Sequence, residues 1–97
     1  MKIVWLPGAE RDLDALTDYI AEDNPQAALR IYDTIPTSVD RLAAFSHIGR
    51  AGRVENTREL VIPGPPYIVV YAIAGQEVQI LAIFHTSRKW PDSFPTG

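Results

Sequence analysis

The run YIVVYAI, Tyr67 to Ile73, constrains the fold more than any other stretch. It is apolar at odd and even positions alike. A strand alternates its side chains between two faces, so this strand needs cover on both and belongs at the centre of a sheet. Pro63-Gly64-Pro65-Pro66 precedes it and Ala74-Gly75-Gln76-Glu77 follows it, and both read as turns. The run is far shorter than the roughly 20 apolar residues of a membrane-spanning helix.

The neighbouring segments supply its partners. NTRELVI before it and VQILAIF after it are β-rich, so residues 56–84 read as an antiparallel meander. KIVWL near the start reads as a further strand, ended by Pro7-Gly8. Ala9, Leu13, Leu16 and Ile20 then recur at helical spacing. Glu10, Asp12 and Asp14 suit the positive end of that helix and read as a solvated acidic face. Asn24-Pro25 marks a second helix start. Its apolar phase runs from Ala28 to Phe45 straight past Pro36, which predicts one kinked helix rather than two. SHIGRAGR, residues 46–53, reads as a loop. The expected order is β-α-α-β-β-β: one α+β domain over residues 1–97, a helical hairpin packed on a small antiparallel sheet.

Composition narrows the function classes. The chain is 46% hydrophobic, enough for a core, and has no cysteine. That excludes a disulfide scaffold or thiolate metal site and fits a reducing cytosol. The N-terminal apolar run meets charges after a few residues, unlike a signal peptide. Residues 1–48 hold eight carboxylates against four bases, a balance of -4, and residues 49–97 hold five bases against four carboxylates, a balance of +1. An acidic first half argues against wholesale nucleic-acid binding and leaves room for a local basic patch in the second.

Few residues carry chemistry by pattern alone. His47 and His85 have no ligand partner at a recognised spacing, so no metal is expected. Gly49 and Gly52 lack the context of a phosphate loop, and no cofactor is implied. Ser87 lies near His85 without a supporting motif. Arg58, His85, Arg88, Lys89 and Trp90 form a more promising set. Arg58 shares a strand face with Leu60 and Ile62, and His85 shares one with Leu81 and Ile83. Both are expected at one edge of the sheet, where they could hold a phosphate and stack a base, or anchor a protein interface. The alternative is that Arg58 pairs with Glu59 or Glu55 and Trp90 folds back on the core.

The joint occurrence of Gly49-Arg50 and Gly52-Arg53, of Thr57-Arg58-Glu59-Leu60, of Pro66-Tyr67 with Tyr71, and of His85 before Trp90 resembles the RelE/ParE superfamily of toxins from bacterial type II toxin–antitoxin systems. The likeness runs from Lys2 to Pro91. It implies a small cytoplasmic toxin, held in a hetero-oligomer by a cognate antitoxin that wraps it with a helix and an extended segment. RelE-like members cleave messenger RNA on the ribosome, and ParE-like members, the plasmid stabilisation toxins, inhibit DNA gyrase without being nucleases. RelE-like nucleases tend to carry arginine three residues before the central-strand tyrosine, arginine after the strand-end histidine, and tyrosine five residues beyond it. Here those positions are Ile68, Thr86 and Trp90, and an indole N–H is only a hydrogen-bond donor. The resemblance therefore implies a ParE-like gyrase inhibitor, not an enzyme. Its binding surface would draw on Arg50, Arg53, Arg58, Tyr67, His85, Arg88, Lys89 and Trp90. A ribosome-dependent messenger nuclease with His85, Arg58 and Arg88 as catalytic groups is the alternative, and a non-toxic relic that keeps only antitoxin binding is the third.

Overall fold

The computed structural model describes residues 1–64 and 67–86. The chain runs β1 (Lys2–Trp5), α1 (Pro7–Asp23), α2 (Pro25–Asp40), a 3-10 turn (Arg41–Ala43), β2 (Arg50–Ala51), β3 (Arg58–Val61), β4 (Tyr67–Ala74) and β5 (Glu77–His85). The five strands form one sheet in the order β1-β5-β4-β3-β2. β4 is the central strand, as its two-sided apolar pattern requires.

The helical hairpin turns on a single residue. The Asn24 backbone N–H donates to Ile20 O at 2.9 Å and closes α1, while its side-chain Oδ1 accepts from Ala27 N at 3.1 Å and opens α2. Pro7 and Pro25 each occupy the first turn of a helix, where a missing N–H costs nothing. α2 continues past Pro36 as one helix. An internal proline costs about 3 kcal/mol. Full burial of Ile35 and Val39 on the far sides of it, with Leu42 just beyond, stabilises the helix by roughly 5–9 kcal/mol and outweighs that cost.

The sheet is mixed rather than wholly antiparallel. β3, β4 and β5 follow one another along the chain and pair antiparallel, but β1 reaches the sheet before the helices and pairs parallel with β5, Lys2 opposite Glu77 and Trp5 opposite Ile80. The segment read as a plain loop also contributes the short strand β2, whose Arg50 pairs with Glu59.

Two apolar layers result. Ala9 and Leu13 of α1, Ile35 and Val39 of α2 and Leu42 of the 3-10 turn pack on Leu60, Val69, Tyr71, Ile80 and Ile83. On the opposite face Ile68, Val70, Ala72, Leu81 and Ala82 form a second buried row. Leu81 and Ala82 are consecutive yet share that row. Val70 pairs with Ala82 and Tyr71 with Ile80, so Leu81 is an extra residue in β5, a β-bulge. The bulge shifts the alternation of everything after it. His85 therefore shares its face with Ile83 on the helix side, and Leu81 points the other way, contrary to the simple alternation.

Candidate functional site

Three of the arginines expected on a binding surface are engaged in holding residues 46–53. Tyr71, fully buried on β4, donates its hydroxyl to Ser46 O at 2.8 Å and accepts from Gly49 N at 3.0 Å. A β-carbon on Gly49 would lie 2.5 Å from that hydroxyl and 2.8 Å from Glu59 O, so the close approach requires glycine. At Gly52 a β-carbon would collide with Thr57 Oγ1 and sit 2.8 Å from the Thr57 carbonyl oxygen. The two glycines of GRAGR thus serve packing of the loop on β3.

Glu59 is the loop's anchor. Its side chain is 1% exposed; Oε1 accepts from Arg50 Nε at 3.1 Å and lies 3.0 Å from Arg50 Nη2, while Oε2 accepts from the Arg53 backbone N–H at 2.8 Å, with Arg53 Nε 3.7 Å away. A buried carboxylate needs such partners, because an uncompensated charge in the interior is expensive. Arg50 and Arg53 retain roughly half of their side-chain surface toward solvent. Arg58 pairs with neither Glu59 nor Glu55 in this arrangement. Its Nη2 donates to Gly49 O at 2.6 Å and His47 O at 3.0 Å, tying the loop to β3.

Arg58 and His85 do not meet. Arg58 lies opposite Tyr71, and His85 opposite Tyr67. Four residues along β4 and two strand spacings separate them, roughly 16 Å at 3.3 Å per residue and 4.8 Å per strand. The reason is topological. In three consecutive antiparallel strands the first and third run the same way, so the start of β3 lies with the start of β5 and not with its end. Expected neighbours Ser87, Arg88, Lys89 and Trp90, and the suggested fold-back of Trp90, lie outside the described residues.

His85 instead belongs to a pocket of about 420 Å³ between α1 and the end of β5, lined by Asp12, Leu16, Tyr19, Tyr67, Ile83 and His85. The Tyr67 and His85 rings meet edge to face, centroids 5.6 Å apart and planes at 88°. Asp12 Oδ2 accepts from the Ile83 backbone N–H at 3.0 Å. β1 leaves the sheet after pairing Trp5 with Ile80, so among the described residues the outer edge of β5 beyond that point has no strand to bond with. A carboxylate from α1 takes the place of a strand carbonyl there. Asp12 is half-buried, a correction to its reading as part of a solvated face. The signal was present: Ala9, Asp12, Leu13 and Leu16 follow the i, i+3, i+4, i+7 spacing of the buried stripe, and Asp12 occupies an inward position.

The pocket gathers an imidazole, two phenols and a carboxylate around an apolar floor, with no cation among its described lining residues. No group of three His, Asp or Glu residues among the described residues could hold a metal ion, and no described helix is long and apolar enough to cross a membrane.

Known proteins match this architecture over most of its length. The family model for the ParE toxin of type II toxin–antitoxin systems, parDE, matches residues 3–90. The putative toxin Y4kP of Sinorhizobium fredii is 43% identical over 90 residues, 93% of either chain. Toxin RelE2 of Caulobacter vibrioides is 38% identical over 87 residues, 90% of this chain and 97% of that one. Among solved structures, a chain of the chromosomal ParDE system from P. aeruginosa superposes with a TM-score of 0.82 at 30% identity, covering 90% of this chain and 97% of that chain. The chain belongs to the ParE family of type II toxin–antitoxin toxins, within the wider RelE/ParE superfamily.

Proposed function

We propose that this toxin acts in the cytoplasm by binding a protein target, DNA gyrase, rather than by cleaving messenger RNA, and that a cognate antitoxin neutralises it in a hetero-oligomer. One observation carries the choice of target class. Arg58, one of the two cations named for a phosphate-cleaving site, is bonded to the carbonyls of Gly49 and His47 and lies roughly 16 Å from His85 by strand spacing. General base and phosphate-holding cation must act on the same few atoms, within hydrogen-bond reach. The pocket around His85 and Tyr67 then reads as a contact surface, flanked in sequence by Arg88, Lys89 and Trp90, while Arg50 and Arg53 are engaged with Glu59. The ParDE assembly recorded for the P. aeruginosa relative supports the antitoxin half of the proposal.

The test is a pair of assays on the purified chain: inhibition of gyrase supercoiling, and messenger cleavage on ribosomes. Gyrase inhibition without cleavage is expected. Cleavage abolished by His85→Ala would refute the proposal and establish the nuclease alternative. Growth unaffected by expression of the chain, with or without its neighbouring reading frame, would leave the relic reading.

A further inference from the structure

Phe45 and Ile48 differ from the other exposed apolar residues, because they sit on a loop that is held too firmly to fold them away. Phe45 is 60% exposed and Ile48 43%. The Phe45 N–H donates to Arg41 O at 3.0 Å and the Ile48 N–H to Phe45 O at 3.2 Å. Residues 45–48 therefore close a turn with the two apolar side chains at its ends. Tyr71 clamps Ser46 O and Gly49 N, and Arg58 holds the carbonyls of His47 and Gly49, so four hydrogen bonds from two strand side chains fix residues 46–49. Single exposed apolar residues are ordinary on a protein surface. A pair displayed on a turn tied to the core is a preorganised contact, and preorganisation lowers the entropy cost of binding.

The same stretch is charged oppositely to the rest of the chain. Residues 41–58 hold Arg41, Arg50, Arg53 and Arg58 against Glu55 and Glu59, a balance of +2 in a chain whose total is -3, so the remainder carries -5. Arg41 and Arg50 flank the turn in sequence and both are exposed. An occupant has to offer an apolar cleft to Phe45 and Ile48 and negative charge beside it. A nucleic acid supplies the charge without the cleft: Ile48 has no ring to stack on a base, and Arg50 and Arg58 already hold a carboxylate and two carbonyls of the protein. A two-fold contact between copies would set the cations of the turn against themselves.

We propose that the turn Phe45–Ile48 is a second contact of this toxin with its protein target, separate from the pocket around His85. Phe45 and Ile48 enter an apolar cleft of the target, and Arg41 and Arg50 meet its acidic rim. Arg58, which holds the turn, lies roughly 16 Å from His85 by strand spacing, a distance that one interface of standard size, about 800 Å² per partner, covers. The proposal rests on the protein-target reading above, and the experiment separates the two.

Binding to gyrase and inhibition of its supercoiling are measured for the full chain and its variants at about 50 and 300 mM salt, conditions that differ in charge screening. Phe45→Ala with Ile48→Ala is expected to weaken both by about 10- to 100-fold with the salt dependence kept. Arg41→Glu is expected to weaken binding by about 3- to 10-fold at the lower salt and to flatten its salt dependence. Arg58→Lys keeps the charge but loses the planar fork that reaches both carbonyls, and is expected to weaken binding by about 3- to 10-fold with Phe45 and Ile48 intact. Val61→Ser, at a β3 residue 51% exposed, leaves binding unchanged. Circular dichroism checks that each variant is folded. If the parent chain inhibits gyrase and the double alanine variant inhibits it equally well, the turn is not a contact and the proposal fails while the target reading stands. Binding of the parent chain to single-stranded RNA or duplex DNA, abolished by Phe45→Ala, would put a nucleic acid on the turn and overturn the proposal. A concentration-dependent dimer of the chain alone, abolished by the same variant, would name a second copy as the occupant and overturn it too. A parent chain that neither binds nor inhibits gyrase would remove the target reading, and the proposal with it.

Discussion

Tyr71→Phe isolates what a single hydroxyl does for this fold. The ring stays in the core among Leu60, Val69 and Ile80, so apolar packing is unchanged. Two hydrogen bonds are lost, to Ser46 O and from Gly49 N. They are not equivalent. Ser46 is half-buried and its carbonyl can turn to water, a loss of about 0.5–1.5 kcal/mol. Gly49 is buried, and its N–H is left without an acceptor, which costs about 1–3 kcal/mol. The sum is roughly 1.5–4.5 kcal/mol, a large share of the 5–15 kcal/mol that holds a typical domain. Urea denaturation of the isolated chain measures it, and a fall in melting temperature of about 6–36 °C should accompany it. Tyr19→Phe, on a ring 73% exposed, is the control and should change little. Gly49→Ala should also destabilise, through the collision with the same hydroxyl, so the double variant should cost less than the two singles together. A Tyr71→Phe loss below about 0.5 kcal/mol would refute the view that the 46–53 loop is fixed from the core, because the orphaned N–H alone should exceed that.

Three further perturbations probe other joints. Glu59→Ala releases Arg50 and Arg53 together and should lower stability by about 1–3 kcal/mol, read by urea denaturation, with amide exchange at Arg53 accelerated. Asp12→Ala should speed exchange of the Ile83 amide and loosen the end of β5, while Asp12→Asn, which keeps an acceptor, should do so less. Asn24→Ala removes the cap of α2 and should cost about 1 kcal/mol in thermal unfolding.

What was legible in the sequence followed from periods, and what was not followed from single residues that break them. The 3.6-residue recurrence marked both helices and carried α2 across Pro36, and the two-sided run 67–73 put β4 at the centre. The bulge at Leu81 has no such signal, because an apolar residue in an apolar strand looks like any other, yet it decides which face His85 occupies. The separation of Arg58 from His85 was available without coordinates, since strand direction in a meander follows from its turns alone. Residues 50–59 show a different limit. Counting Arg50, Arg53 and Arg58 as a basic patch treats every guanidinium as available to a ligand. Whether one is depends on which acceptors lie at the same depth, and here a carboxylate within the strand and two loop carbonyls take them. A glutamate inside a short β-rich run, with arginines six and nine positions before it, is the pattern that would have shown this. An acid placed in a strand is costly unless a cation reaches it, so its presence implies that nearby arginines have structural work before they have any other.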